Sequence, residues 1–299
     1  MRLLPLVLAV VLLAAGWGGN THSAPPAQGT LAAALSRPGP EISLVQGTSD
    51  YAVGPVRVTF LFIDSHSKSI ERSRARVWVG TRLDAPTVLT TEATLEPIGV
   101  PGVSAAATGD VSRIYVARFR LTRPGKYTLV AEPEGEKIQG VATIQVAERP
   151  KAPAVGDRAI PSHTPTLATA HGDVSTLTTK RPPDRTLLGY SVAGSLAAHA
   201  PFVLVFATPK FCTSRTCGPV VDVAQAVQSQ FKGRGVRFIH VEIYQDNNPA
   251  QGANRWVKEW RLPSEPFVFL VGRDGRIKGR FEGSVSVAEL AAAVRSTLL

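Results

Sequence analysis

The sequence predicts two domains, an all-β antiparallel sandwich followed by an α/β domain. A chain of 299 residues exceeds the size of one ordinary small domain, and two domains of about 100–150 residues each are the expected division. Apolar residues make up 44% of the chain and charged residues 19%, so each domain can bury a core. Short strand patterns separated by Gly and Pro fill the first half, whereas strands alternate with helices in the second.

The first 23 residues are predicted to be a signal peptide. Arg2 provides a positive start, and residues 3–15 form an apolar run that is shorter than the about 20 residues needed to span a bilayer. Residues 13–16 resemble the bacterial sequence that precedes a lipidated cysteine, but Trp17 stands where the thiol belongs. We therefore expect an exported protein of the bacterial cell envelope or the extracellular space, with no membrane span apart from this segment.

The net charge of +10 at pH 7 does not by itself indicate a nucleic-acid partner. Lys and Arg are scattered along the chain, without a dense basic run and without interleaved aromatic residues. We expect no nucleic-acid binding, and we interpret the charge as a source of solubility and of weak adhesion to the envelope.

Residues 24–40 and 149–185 lack periodic hydrophobic patterns. The first segment is rich in Ala, Pro and Gly and is predicted to be a flexible tether. The second is rich in Pro, Ser, Thr, His and Gly and is predicted to be a linker or an extended arm lying on the second domain. The folded domains are therefore expected over residues 41–148 and 186–299.

The segment 41–148 contains strand patterns at short intervals and no convincing helix. Residues 114–121 alternate strictly enough for a half-buried strand, and Pro124 and Gly125 then predict a turn. The predicted strands are 56–62, 75–79, 114–121, 127–130 and 141–146. Short strands joined by Gly and Pro turns resemble the immunoglobulin-like sandwich, without the disulfide of antibody domains because this segment has no cysteine.

In the second domain the predicted order is strand, helix, strand, helix, strand, strand, helix. Phe202–Phe206 is a continuous apolar run, typical of a strand buried on both faces. Asp274 and Gly275 predict the hairpin turn between the last two strands. The predicted elements are strands 202–206, 236–244, 267–271 and 276–281 and helices 219–231, 253–260 and 287–298. This order predicts a mixed sheet with helices on both faces.

The only two cysteines, Cys212 and Cys217, lie between the first strand and the first helix of this domain. The order of elements, together with residues 217–219 (CGP) and 264–267 (SEPF), resembles the thioredoxin-like fold superfamily. The resemblance implies a redox-active pair formed by the two cysteines. It also implies a substrate groove formed by Pro219, Glu265 and Pro266, with a cis peptide bond before Pro266.

The cysteine spacing departs from the usual family motif, because four residues rather than two separate the thiols and Val220 stands where the second thiol belongs. A disulfide requires these residues to turn back, since an extended chain would hold the Cα atoms about 16 Å apart. Cys217 lies at the predicted helix start, where Pro219 suits the first turn and unpaired backbone N–H groups stabilise a thiolate. Either cysteine is a candidate nucleophile, Cys217 by this position or Cys212 as the counterpart of the family nucleophile.

Glu265, beside the expected cis-proline, is interpreted either as a contact for a bound peptide in the substrate groove or as an exposed loop acid. Copper binding is not expected, because the two thiols have the wrong spacing and no later histidine is suitably placed. The sequence has no Gly-rich phosphate loop and no Ser/His/Asp motif, so neither a cofactor nor a metal is predicted.

Two functions fit these residues. In the first, which we favour, the protein exchanges disulfides with cysteine-containing envelope proteins or a redox partner protein through Cys212 and Cys217. In the second, a non-catalytic envelope binding or scaffold protein keeps a structural disulfide between the same two cysteines. Such a small closed loop stabilises a fold by about 1–3 kcal/mol, which does not distinguish the two functions.

Overall fold

The structure is a computed structural model that describes residues 27–36, 39–40, 42–103, 112–137, 139–212 and 217–299. The side chain of Cys217 is not part of this description. The predicted signal peptide, residues 1–23, lies outside the described residues. Among the residues described, no helix has the length and apolar character needed to cross a bilayer.

The first domain is built from strands that form one hydrogen-bonded sheet of eight. The strands are β1 (Ser43–Gln46), β2 (Tyr51–Ala52), β3 (Gly54–Ile63), β4 (Arg74–Gly80), β5 (Leu89–Pro97), β6 (Arg113–Leu121), β7 (Gly125–Pro133) and β8 (Gly140–Ala147). Their order is β1-β3-β6-β5-β4-β7-β8-β2, in which β2 runs parallel to β8 and the other neighbours are antiparallel. The sequence did not predict β1, β2 or β5. β1 and β2 are only four and two residues long, and the Thr- and Glu-rich face of β5 carries little hydrophobic alternation.

This sheet curves so that its first strand lies against β8. A Cβ atom added to Gly140 of β8 would lie only 2.8 Å from the Cβ of Leu44 in β1. Phe60, Phe62 and Tyr115 pack in the enclosed core, with ring centroids 5.1 to 5.5 Å apart. The strands thus form one continuous, mainly antiparallel sheet with its own core, while the immunoglobulin-like sandwich stays a prediction.

Part of the segment predicted as a flexible tether is instead helix α1 (Leu31–Leu35). Thr30 caps the helix by accepting a hydrogen bond from the N–H of Ala33 at 3.1 Å. Leu31 is fully buried against Trp78 and Val130 of the sheet. The burial of these apolar side chains outweighs the flexibility that the Ala, Pro and Gly composition favours.

The second domain has a four-stranded mixed sheet with the order β10-β9-β11-β12. Its elements are α2 (Val192–Ala197), β9 (Phe202–Phe206), α3 (Cys217–Gln230), β10 (Arg237–Val241), α4 (Arg255–Glu259), β11 (Phe267–Val271), β12 (Ile277–Glu282) and α5 (Val287–Leu298). β9 and β10 are parallel, and β11 is antiparallel to both β9 and β12. Apart from the additional α2, this is the predicted order of elements.

Both faces of the second sheet are covered by helices, as predicted. Val203 and Val205 of β9 pack on one face with α3 and α5. Phe202, Leu204 and Phe206 pack on the opposite face with residues of α2 and α4. Because alternate side chains of a strand point to opposite faces, a strand with cores on both sides has to be apolar throughout.

Residues 149–185, predicted as a linker or an extended arm, lie along the second domain. The N–H of Gly156 donates to the carbonyl oxygen of Ile277 at 2.8 Å, and the N–H of Ile277 donates to the carbonyl oxygen of Asp157 at 2.9 Å. These bonds pair the arm with β12, which is the outer strand of its sheet. The arm therefore covers a sheet edge that would otherwise expose unpaired backbone groups.

Candidate redox site

Three chain segments meet at one edge of the second sheet. Because β9 and β10 are parallel, both strands end at this edge. β11 is antiparallel to β9 and therefore begins there. Cys212 follows β9, Glu242 follows β10, and Glu265 and Pro266 precede β11. The fold therefore brings these residues to one edge of the sheet although they are far apart in the sequence.

Cys212 is half-buried and packs against the apolar core under α3 and α5. The residues before it are anchored on both sides. The N–H of Lys210 donates to Thr179 Oγ1 of the arm at 3.1 Å, and the ring of Phe211 meets that of Tyr244 edge-on, with centroids 6.3 Å apart. Cys212 thus has a defined position, with part of its surface open to solvent.

Cys217 is the first residue of helix α3, in agreement with its predicted position at the helix start. Pro219 is buried in the first turn, where its missing N–H would have had no helical partner. Residues 213–216 and the Cys217 side chain lie outside the described part of the chain. The pairing of the two thiols therefore stays a prediction.

Pro266 is buried and follows a cis peptide bond with Glu265, as the family resemblance implies. Its carbonyl oxygen accepts a hydrogen bond from the N–H of Gly283 at 2.9 Å. Gly283 has a φ of +72° and leaves no room for a Cβ against the carbonyl oxygen of Gly47 in the first domain. Pro266 thus lies at the same edge as Cys212, and its role in a peptide groove stays a prediction.

Glu242 directly follows β10 and is only 5% exposed. Its Oε1 accepts two hydrogen bonds from Thr179, from the N–H at 2.6 Å and from the hydroxyl group at 2.9 Å. Its Oε2 is buried and has no hydrogen-bond partner among the described residues. A buried carboxyl oxygen without a partner loses its hydration at a cost in folding free energy, and such groups are concentrated where proteins perform chemistry.

Glu265 is half-buried, so the interpretation as an exposed loop acid is wrong. Burial, the charge of Cys212 and the charge of Glu242 raise the pKa of Glu265 to about 7. Its Oε2 is also buried without a hydrogen-bond partner in the part of the chain described. A carboxyl group with this pKa is only partly ionised at neutral pH, so its charge changes with pH in the physiological range.

Two further groups lie beside this cluster. Thr208 is fully buried, and no described residue hydrogen-bonds to its hydroxyl group. His240 Nε2 lies 2.9 Å from the carbonyl oxygen of Ala207, which makes it a core histidine satisfied by the backbone. Within the described ranges, no three His, Cys, Asp or Glu side chains are close enough together to hold a metal ion.

Glu282, at the end of β12, ties the segment before Pro266 to the first domain. It is 8% exposed, and its Oε1 accepts hydrogen bonds from Ser264 Oγ at 2.6 Å and from Ser49 Oγ at 2.8 Å. Its Oε2 accepts a bond from the N–H of Asp50 at 2.8 Å. Both carboxylate oxygens are satisfied, and the first domain thereby holds the residue that precedes Glu265.

Arg57 of β3 forms a second link between the domains. Its Nε and Nη2 donate to the carboxylate of Glu289 at 2.9 and 2.8 Å, and Nη2 also donates to the carbonyl oxygen of Ser284 at 2.6 Å. Glu289 lies in the first turn of α5, and its N–H donates to the N-cap Ser286 at 3.1 Å. Bidentate pairing of this kind fixes orientation as well as distance, so the domains are held in one arrangement.

Glu242, Glu282 and Arg57 were not among the residues predicted from the sequence. Glu242 could have been found, because an acid directly after the second parallel strand falls on the same sheet edge as Cys212. Glu282 and Arg57 are 225 positions apart in the chain, and no local pattern shows that charged residues so distant belong to one interface.

The chain matches no protein-family model and no curated protein. Among solved structures, a thiol:disulfide interchange protein of the thioredoxin family from Chlorobium tepidum TLS is similar at 16% sequence identity, with a TM-score of 0.27. The similarity covers 35% of this chain and 85% of that protein. At this level of similarity, a function has to be inferred from the chain's own residues.

Proposed function

We propose that this chain is an exported thioredoxin-like protein that exchanges disulfides with cysteine-containing envelope proteins or a redox partner protein through Cys212 and Cys217. One observation carries the proposal. Cys212 lies half-buried at the sheet edge where Pro266 precedes β11, and Cys217 begins the helix that follows. Export is inferred from the signal peptide predicted over residues 1–23.

The surroundings of the two cysteines support exchange chemistry. A thiolate is the attacking species, and the N-terminal end of a helix stabilises an anion through its unpaired N–H groups and its dipole. Cys212 keeps part of its surface open, which an approaching client sulfur requires. The segment with Glu265 and Pro266 lies at the same edge of the sheet, and in this proposal it forms one wall of the groove for an extended client peptide.

The reaction conserves electrons and protons. One cysteine thiolate bonds to a sulfur of a client disulfide, and the other client sulfur leaves as a thiolate that takes up a proton. The second cysteine then attacks the mixed disulfide and releases the remaining client thiol. The client has gained two electrons and the protein holds a disulfide, and the reverse sequence oxidises a client.

The proposal is tested by titrating the full-length protein in dithiol/disulfide buffers and alkylating the thiols at each potential. We expect reversible titration above about −300 mV, within reach of biological thiols. A variant with both Cys212→Ser and Cys217→Ser serves as the blank. A bridge that stays closed down to lower potentials would contradict exchange and identify a structural disulfide.

A cavity between the domains favours a second candidate, a binding or scaffold protein with a permanently closed disulfide. The cavity has a volume of about 590 Å³ and is lined by Tyr51, Phe119 and Phe281 together with Arg118 and Glu289. This volume falls within the range of about 300–1,000 Å³ that is common for small-molecule sites. In this case, partner binding would survive in the variant without cysteines, whereas exchange requires both thiols.

A further inference from the structure

The cavity between the domains has walls from three parts of the chain. The first domain contributes Tyr51 and Phe119, the arm contributes Pro150 and Val155, and β12 of the second domain contributes Phe281. The cavity has a volume of about 590 Å³, and small-molecule sites occur preferentially at domain interfaces. A molecule bound here would therefore contact both domains and the arm at once.

Both domains leave aromatic surface uncovered in this cavity. Phe119 packs at the margin of the first-domain core, and Phe281 packs at the margin of the core under α3 and α5. Both residues are only partly buried, and Val155, in a turn of the arm, is 59% exposed. Apolar surface that is open to water in a concave site favours an apolar ligand, because covering this surface lowers the free energy.

The charged residues of the walls neutralise one another. They are three arginines and three acids, namely Arg57, Arg118, Arg280, Asp50, Glu282 and Glu289. Arg280 donates to Asp50 at 2.7 Å, and Arg57 donates to the carboxylate of Glu289 at 2.9 and 2.8 Å. Arg118 also contacts Glu289, and both oxygens of Glu282 accept hydrogen bonds. A charged ligand would have to separate one of these pairs or be buried without a partner, so the walls favour an uncharged ligand.

We propose that this cavity binds one neutral, mainly apolar small molecule with an aromatic ring, held between Phe119 of the first domain and Phe281 of the second. The proposal is independent of disulfide exchange, because no cysteine is among the described residues that line the cavity. It assigns a class of ligand to the binding role that the cavity favours. Because the ligand would contact both domains only in the folded chain, its binding stabilises the folded chain against unfolding.

The experiment titrates the full-length protein with three dyes at neutral pH and follows their fluorescence. Nile red is neutral, Nile blue has the same fused aromatic rings with a positive charge, and anilinonaphthalene sulfonate is an aromatic anion. We expect saturable binding of one Nile red per chain, and a Kd at least about tenfold higher for each charged dye. Binding of a charged dye as tight as that of Nile red would overturn the ligand class, and a failure of Nile red to saturate would overturn the site.

Substitutions in the walls test where the dye binds. Val155→Asp places a carboxylate in the apolar wall and is expected to raise the Kd of Nile red about tenfold. Val103→Asp is the matched control, because Val103 is 64% exposed in a turn outside the cavity walls, and it should leave the Kd unchanged. Phe281→Leu removes a ring but keeps the site apolar, and we expect a Kd about three- to tenfold higher. Circular dichroism verifies that each variant is folded, and equal Kd values in all four proteins would overturn the proposal.

The variant without cysteines separates this inference from the proposed exchange function. It should bind Nile red with the Kd of the parent, and a loss of binding would overturn the proposal. If the disulfide stays closed in the redox titration while Nile red binds as expected, exchange fails and the ligand site stands. If the titration is reversible and Nile red does not bind, exchange stands and the ligand site fails. Analytical ultracentrifugation adds one further outcome, since a dimer that Val155→Asp dissociates and Val103→Asp does not would identify a second copy as the occupant and overturn the proposal.

Discussion

Two clusters of buried carboxyl groups flank the segment before Pro266, and they differ in how their oxygens are satisfied. At the domain interface, both oxygens of Glu282 accept hydrogen bonds, and both oxygens of Glu289 accept bonds from Arg57. At the candidate redox site, Glu242 and Glu265 each keep one buried oxygen without a partner among the described residues. The first arrangement favours a fixed structure, and the second keeps groups whose protonation can change.

This difference indicates which part of the molecule is built for stability. A satisfied buried carboxylate is costly to disturb, because removing its partner leaves an uncompensated charge. An unsatisfied one already destabilises the fold, so its removal relieves a cost. Substitutions at the two clusters are therefore expected to change the free energy of unfolding in opposite directions.

The largest effect is expected for Arg57→Ala at the interface. The change leaves Glu289 and the carbonyl oxygen of Ser284 without their main donor, and we expect a loss of about 2–4 kcal/mol in urea denaturation. Arg118 still contacts Glu289, which keeps the loss below the full value for a broken buried pair. Arg82→Ala removes an ion pair in which both side chains are 70% exposed, and as the control it should leave the free energy of unfolding almost unchanged because solvent screens exposed charges. Equal losses would contradict the special role of the interface.

A smaller effect of opposite sign is expected for Glu265→Gln. The pKa of Glu265 is raised from 4.5 to about 7 in the folded protein, so below pH 4.5 both folded and unfolded chains hold the proton. As pH rises towards 7, the unfolded chain ionises first and the folded protein loses stability relative to it. Relative to the parent, the variant should gain about 1–2 kcal/mol between pH 4.5 and pH 8, after allowance for screening of a half-exposed group.

Urea denaturation at the two pH values measures this gain. A parent protein and a Glu265→Gln variant that respond identically to pH would show that Glu265 ionises normally in the folded state.

The smallest expected effect is a difference between two buried threonines, Thr48 and Thr208, that differ in their hydrogen-bond partners. Thr48 Oγ1 accepts a bond from the N–H of Thr59 at 3.0 Å and lies 2.8 Å from the hydroxyl group of Tyr51, whereas Thr208 Oγ1 has no partner among the described residues. Thr48→Val should therefore cost about 1 kcal/mol, and Thr208→Val should be neutral or slightly stabilising. Thermal unfolding of the two variants compares the same chemical change in the first domain and beside the candidate redox site. A larger loss of stability for Thr208→Val than for Thr48→Val would contradict this expectation.

The elements of the second domain were predictable because their signals are local. Phe202–Phe206 is apolar throughout since both faces of β9 are covered, and Pro266 could be assigned a cis bond from the residues around it by family resemblance. The first-domain strands that carried clear alternation were also found. The short β1 and β2 and the polar β5 were missed because none of them carries a clear hydrophobic pattern.

The candidate site could be predicted only in part. Cys212, Pro219 and Pro266 were found from their neighbours in sequence, but Glu265 was open to interpretation as an exposed acid because its burial depends on a distant segment. Thr179 and Glu242 are 63 positions apart and meet only through the fold. Likewise, the bonds of Glu282 to Ser49 span 233 positions, and hydrophobic periodicity contains no information on such contacts.

The pairing of the arm with β12 determines how this protein can be divided for biochemical work. A recombinant fragment starting at residue 186 would lack Gly156 and Asp157, whose backbone groups bond to Ile277. Its outer strand would then offer free N–H and C=O groups to other molecules, a common cause of precipitation. A fragment that begins near residue 150 retains this cover and is the better starting point for expressing the second domain alone.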